Sequence, residues 1–96
     1  MFYDNKGIPV IEHQPSQQRF IMTDAGIDAV LDYVIRGTRI NFTHTYVPES
    51  LRGRGLAEQL VRAGLAWARE HDYQIEASCW YVGKFLKREE EDEQDD

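Results

Sequence analysis

Between Val47 and Leu56 the apolar pattern of this chain changes period, from about two residues to about 3.6, with a proline and two glycines in the gap. Upstream, Ile27, Ala29, Leu31, Tyr33 and Ile35 fall on one face of an extended chain. Asp28, Asp32 and Arg36 fall on the other face, together with Val30 and Val34. Residues 39–47 alternate again, with Ile40, Phe42, His44 and Tyr46 on a common face. Downstream, Leu56, Leu60, Val61, Leu65 and Ala68 form a helical stripe opposite Glu58, Gln59, Arg62, Arg69 and Glu70. A chain that carries both periods in this way packs a sheet against a helix, which excludes all-α and all-β architectures.

The remaining elements follow from turn and breaker residues. Residues 1–18 are poorly patterned, with Gly7-Ile8-Pro9 and Gln14-Pro15-Ser16 interrupting around Val10 and Ile11. Arg19 to Thr23 suits a strand, and Asp24-Ala25-Gly26 and Gly37-Thr38 are turn signals that join three strands into an antiparallel meander. Pro48 ends the third strand. After the helix, Tyr73 to Ala77 reads as a short strand, and a crossover of this length requires parallel pairing. Trp80 to Lys87 carries Tyr81, Val82, Phe85 and Leu86 at helical spacing, with Trp67 and Trp80 read as packing residues. The expectation is an α/β (mixed α+β) domain of order β-β-β-α-β-α, a central mixed sheet with two helices, spanning residues 1–88.

The formal charge of −6 belongs to one end of the molecule. Residues 89–96 hold seven acids and no base; removing them from the seventeen acidic residues leaves ten against eleven basic ones. Such a like-charge run has nothing apolar to bury and is expected to be a disordered tail. It would also repel phosphates, so a nucleic-acid partner is not expected. No apolar run approaches the roughly 20 residues that span a bilayer, and the first residues lack a charged-then-apolar leader. The expected compartment is the cytoplasm, with no membrane partner. Cys79 is the single cysteine, which rules out an internal disulfide, and three scattered histidines do not complete a metal site with it.

The segment from Val47 to Gly55 ends a strand and opens a helix. A helix N-terminus presents unpaired N–H groups and partial positive charge to an anion. Gly53 and Gly55 leave the backbone open to close approach, and Arg52 and Arg54 add charge of a kind that grips phosphate oxygens. The alternative is a strand-to-helix turn with solvated arginines. No lysine-serine pair follows the glycines and no second glycine pair extends them, which argues against a nucleoside triphosphatase or a dinucleotide site.

Arg52-x-x-Gly55-x-Ala57, following a strand that ends in Val47-Pro48, resembles the acetyl-CoA motif of the GNAT superfamily of N-acetyltransferases. His44-Thr45-x-Val47-Pro48, the run Leu51 to Ala57, and Cys79-x-Tyr81-Val82 together resemble its small, single-domain GNAT-like branch. The likeness covers about residues 18–88. It departs from the branch pattern at Ala77-Ser78-Cys79, where a proline usually stands two residues before the cysteine, and in the acidic ending. The resemblance implies a compact GNAT-like fold with acetyl-CoA as cosubstrate and no metal. It implies that the Val47 backbone meets the pantetheine arm and that amides of Arg52, Gly53, Arg54, Gly55, Leu56 and Ala57 hold the pyrophosphate. His44 and Cys79 are then placed near the thioester.

Acetyl transfer to an amine needs an oriented thioester, a neutral amine and a route for its proton. Imidazoles titrate near neutral pH, so His44 is the candidate base; the bland alternative is an inward-facing strand histidine. Cys79 is the candidate nucleophile if its thiolate is favoured by the helix that starts just after it, and otherwise a small buried hydrophobe. Tyr81 is expected at the cofactor, as a donor to the departing thiolate, or else in the core. The first expectation is an N-acetyltransferase that acts on an amine such as a protein lysine or a polyamine, as a monomer or weak dimer. The rivals are a non-catalytic CoA-binding regulatory module and an interaction protein whose acidic tail binds a basic surface.

Overall fold

A computed structural model describes residues 10–24, 26–53 and 55–94, the last six as backbone only. Five strands form one sheet in sequence order: β1 (Ile11–Gln14), β2 (Arg19–Asp24), β3 (Ile27–Arg36), β4 (Arg39–Tyr46) and β5 (Gln74–Ala77). The first four pair antiparallel and β4 pairs parallel with β5. Helix α1 (Leu56–Glu70) makes the crossover between them, and α2 (Trp80–Gln94) follows β5. The expected fold class and the parallel βαβ unit are therefore present, in the order β-β-β-β-α-β-α.

Two elements differ from expectation. β1 was hidden by its length and by the breakers beside it. Its Ile11 and His13 pair with Met22 and Phe20, so both lie on the core face, with period two over only four residues. At the other end, α2 does not stop at Lys87 but continues through the acidic run to Gln94. Glutamate and glutamine are good helix formers, and no glycine or proline interrupts them. Residues 95–96 of the expected tail lie outside the described residues.

One face of the sheet is apolar because each strand alternates. Phe20, Met22, Ala29, Leu31, Tyr33, Ile40 and Phe42 are all buried there. The α1 stripe of Leu56, Leu60, Val61, Leu65 and Ala68 closes over them, and Val82 and Phe85 of α2 join the same core. Burying an aliphatic or aromatic side chain of this kind stabilises by about 1.5–3 kcal/mol, so this single layer contact dominates the fold. Gly64 lets α1 approach closely: a Cβ there would lie 2.7 Å from Leu31 Cδ2 and 3.0 Å from Phe42 Cε1. Among the described residues, no helix covers the opposite face, which carries the Arg19–Asp32 ion pair at 3.2 Å. The result is a two-layer molecule.

Candidate active site

The site forms where β4 and β5 part. β5 matches β4 only from Arg39–Gln74 to Phe42–Ala77. The Cys79 amide then donates to the Phe42 carbonyl at 3.1 Å, and beyond it β4 runs on without a β5 partner. Against β3, Asp32 pairs with His44 but Tyr33 pairs with Phe42, so Thr43 is an extra residue. Its hydroxyl donates to the Asp32 carbonyl at 3.4 Å and pins the bulge.

The bulge changes which side chains face the helices. Leu31 is buried on the core face and pairs with Thr45, so Thr45 lies on that face. His44, opposite Asp32, and Tyr46, opposite Val30, lie on the open face. The expected common face of Ile40, Phe42, His44 and Tyr46 is therefore corrected: it holds for the first two and reverses for the last two. His44 is exposed, with its ring stacked near that of Tyr46 at 6.4 Å.

Thr45 instead meets the cysteine, with Oγ1 at 3.5 Å from Cys79 Sγ. Cys79 immediately precedes α2, and the Gly83 amide donates to its carbonyl at 3.0 Å. Partial burial alone would push the Cys79 thiol up. Hydrogen bonds from the Val82 amide, the Thr45 hydroxyl, and the Tyr81 and Thr45 amides outweigh it and hold the thiol below its ordinary value. Tyr81 is half-buried on the first turn of α2.

The strand-to-helix loop lies beside this thiol. Gly53 and Gly55 have φ of 85° and 73°, and a Cβ on either would meet nothing within 4 Å. Both glycines thus have a conformational reason to be present, which the turn alone supplies. The Arg52 amide closes a helical turn on the Glu49 carbonyl at 3.2 Å, and its Nε donates to the Val47 carbonyl at 3.0 Å. Among the described residues, the amides of Gly53, Gly55, Leu56 and Ala57 donate to no backbone carbonyl. Gly55, as the residue that caps α1, has no side chain to cover them. Arg54 lies outside the described residues.

Two adjoining cavities connect these parts. One, of about 220 Å³, runs along Leu51 to Glu58 and Tyr81. The other, of about 260 Å³, is lined by Thr45, Tyr46, Val47, Arg52, Ala57, Cys79, Trp80 and Tyr81. Val47, Arg52, Ala57 and Tyr81 border both. Of the residues singled out in the sequence, the structure gathers Val47, Arg52, Gly53, Gly55, Leu56, Ala57, Cys79 and Tyr81 along this path, and leaves His44 outside its lining. A larger cavity of about 520 Å³ lies on the open sheet face near Arg36, Arg39 and Glu76, but it borders no nucleophile and Arg39 is paired with Glu76 there. Sequence reasoning missed Thr45 and Trp80. Thr45 gave no signal without the bulge. Trp80, read as packing, is 76% exposed at the start of α2.

The sequence profile of the GCN5-related N-acetyl-transferase family matches residues 19–95, most of the chain and all of this site. The chain belongs to the GCN5-related N-acetyltransferase family. The protein NATD1 of Bos taurus is 38% identical over 86 residues, covering 85% of this chain and 76% of its own length. NATD1 of Gallus gallus is 37% identical over the same span, 78% of its length. A GCN5-like protein of Staphylococcus aureus, solved by NMR, superposes with a TM-score of 0.67 at 28% identity, covering 85% of this chain and 81% of that one. The acetyltransferase-type domain was thus identifiable from the loop and its neighbours. Members of this family generally use acetyl-CoA.

Proposed function

We propose that this chain is an acetyl-CoA-dependent N-acetyltransferase acting on a primary amine. The observation that carries this reading is the continuous path from the uncapped N-terminus of α1 to a thiol held below its ordinary value. The amides of Gly53, Gly55, Leu56 and Ala57, with the charge of the loop arginines, suit a pyrophosphate. The gap between β4 and β5 suits an extended pantetheine arm. Reaching Val47 through its carbonyl would require Arg52 Nε to share or release that oxygen.

The cosubstrate supplies an activated acetyl thioester. This chain supplies orientation and proton management. In direct attack, the amine nitrogen bonds to the acetyl carbon, the carbon–sulfur bond breaks, and the amine proton passes to a base. His44, on the open face beside Thr45, takes that proton through solvent in this reading. In the alternative route, the Cys79 thiolate accepts the acetyl group first and the amine then displaces it. The low thiol and its Thr45 partner support the second route.

Release of free CoA thiol with a panel of amines tests the reading. Turnover by the wild type, reduced at least about a hundredfold in Cys79→Ala, supports the covalent route. Full activity in both Cys79→Ala and His44→Ala would remove both residues from the mechanism. Tight acetyl-CoA binding without thiol release for any amine would make the chain a CoA-binding regulatory module.

A further inference from the structure

The cavity of about 520 Å³ on the open sheet face is lined by Val34, Arg36, Arg39, Asn41, Thr43 and Glu76. Register orders them along the seam of β3, β4 and β5: Arg36 lies opposite Arg39, and Val34, Asn41 and Glu76 form the next row. Two guanidinium groups therefore face one carboxylate, and like charges directly opposite on a sheet repel. Arg39 Nη1 is 3.6 Å from Glu76 Oε2, with the side chains 62% and 48% exposed, so this pair is loosely held and both charges stay open to a ligand. Arg36 forms no ion pair among the described residues. Asn41 is committed to Ser78: its carboxamide nitrogen donates to Ser78 Oγ at 2.8 Å and its oxygen accepts from the Ser78 amide at 2.8 Å. Those two bonds make the end of β5 a fixed wall. At the far end, Thr43 follows the last β4–β5 pair, Phe42 with Ala77. The cavity thus runs from a charged end to the mouth of the gap proposed for the pantetheine arm.

We propose that this cavity is the acceptor site, and that it takes a free α-amino acid with a terminal side-chain amine, of the lysine or ornithine type. This rests on the transferase reading above and names its substrate class. A lone carboxylate here is repelled by Glu76 and a lone ammonium by the arginines, whereas a ligand carrying both satisfies all three. Its carboxylate accepts from Arg36 and Arg39, and its α-ammonium donates to Glu76. The reach agrees. Strand residues advance about 3.3 Å each, so Asn41 to Thr43 covers about 7 Å. An extended lysine side chain spans about 6 Å from Cα to Nζ at bond lengths near 1.5 Å. With the head group at the Arg39–Glu76 end and the aliphatic chain along Val34, Nζ arrives at Thr43, on the face that carries His44. There the neutral amine bonds to the acetyl carbon, the carbon–sulfur bond breaks with its electron pair on sulfur, and the amine proton passes to His44 through solvent. A lysine within a peptide has amides in place of both head-group charges and loses this recognition.

The probe is free L-lysine added to the nitrogen-15-labelled chain, beside Nα-acetyl-lysine methylamide, which keeps the side-chain amine but blocks both head-group charges. Lysine should shift the amides of Arg39, Asn41, Thr43 and Glu76, and the blocked twin should leave them in place. Arg36→Gln and Glu76→Gln alter exposed side chains. Each should weaken lysine by about tenfold, the loss of one charged contact, with acetyl-CoA affinity unchanged. In turnover the same variants should raise KM for lysine with little change in kcat. Equal shifts or equal turnover with the blocked twin, or unchanged lysine affinity in both variants, would overturn the proposal. The spectrum needs neither acetyl-CoA nor turnover, so the two readings fail separately. Lysine shifts without any acetyl-CoA binding would overturn the transferase reading while the amino-acid site stands; acetyl-CoA binding without lysine shifts would overturn the acceptor assignment alone.

Discussion

Because Thr43 is an extra residue in β4, every side chain beyond it changes face, and Thr45 rather than His44 meets Cys79 Sγ. No sequence period announces a bulge, so the face of His44 was the part of the site that reading by alternation placed wrongly. The thiol follows directly from its donors. Alkylation of Cys79 should show a midpoint below that of the same cysteine in the unfolded chain, and Thr45→Val should move it upward; an unchanged midpoint in the variant would remove Thr45 from the account. A second residue-scale test lies at the far end of α1. His13 Nε2 is 2.7 Å from the Tyr33 hydroxyl, and its ring stacks on Phe20 at 4.1 Å and meets Trp67 at 4.5 Å. Burial, then the nearby His71, holds the His13 imidazole below its ordinary value. The unfolded chain therefore binds the proton more readily. His13 contributes stability above the ordinary imidazole range, and this is lost as pH falls through that range toward the lowered folded value. Urea midpoints of the wild type should fall across that window, and those of His13→Phe should fall less.

The helix stripe of α1 was legible in full, since Leu56, Leu60, Val61, Leu65 and Ala68 are all buried, and the meander was legible from its glycine turns. Short β1 was not, because four residues hold too few periods to stand out beside a proline. Gly64 was also silent, because what it spares is a contact across layers. Gly64→Ala gains about 1 kcal/mol of helix propensity but drives a methyl to 2.7 Å from Leu31 Cδ2. Overpacking of a filled core costs about 1–3 kcal/mol, so the variant should be destabilised by about 1 kcal/mol in urea unfolding, and Gly64→Val by more. A stabilised Gly64→Ala would mean that α1 sits farther from the sheet. At Gly55 the effect is local: an alanine at φ 73° is strained by about 1–2 kcal/mol, and the variant should also bind acetyl-CoA more weakly.

For the whole molecule, two helices on one face of a five-strand sheet leave the other face to solvent among the described residues. The acidic run, expected to leave the fold at residue 89, continues α2 as helix to Gln94. Composition showed its charge but not its conformation, because self-repulsion and helix propensity pull such a sequence in opposite directions. Ligand binding should be visible in global stability. Acetyl-CoA at about a hundredfold excess over Kd would stabilise by about 2.7 kcal/mol, a Tm rise of roughly 10–20 °C in a domain this size.

The most direct measurement is a titration of the nitrogen-15-labelled chain with acetyl-CoA, read amide by amide and supported by calorimetry. Saturable binding is expected, with the largest shifts at Gly53, Gly55, Leu56 and Ala57 and further shifts at Cys79 and Tyr81. No binding at millimolar acetyl-CoA, or shifts confined to the open-face cavity around Arg36 and Arg39, would contradict it.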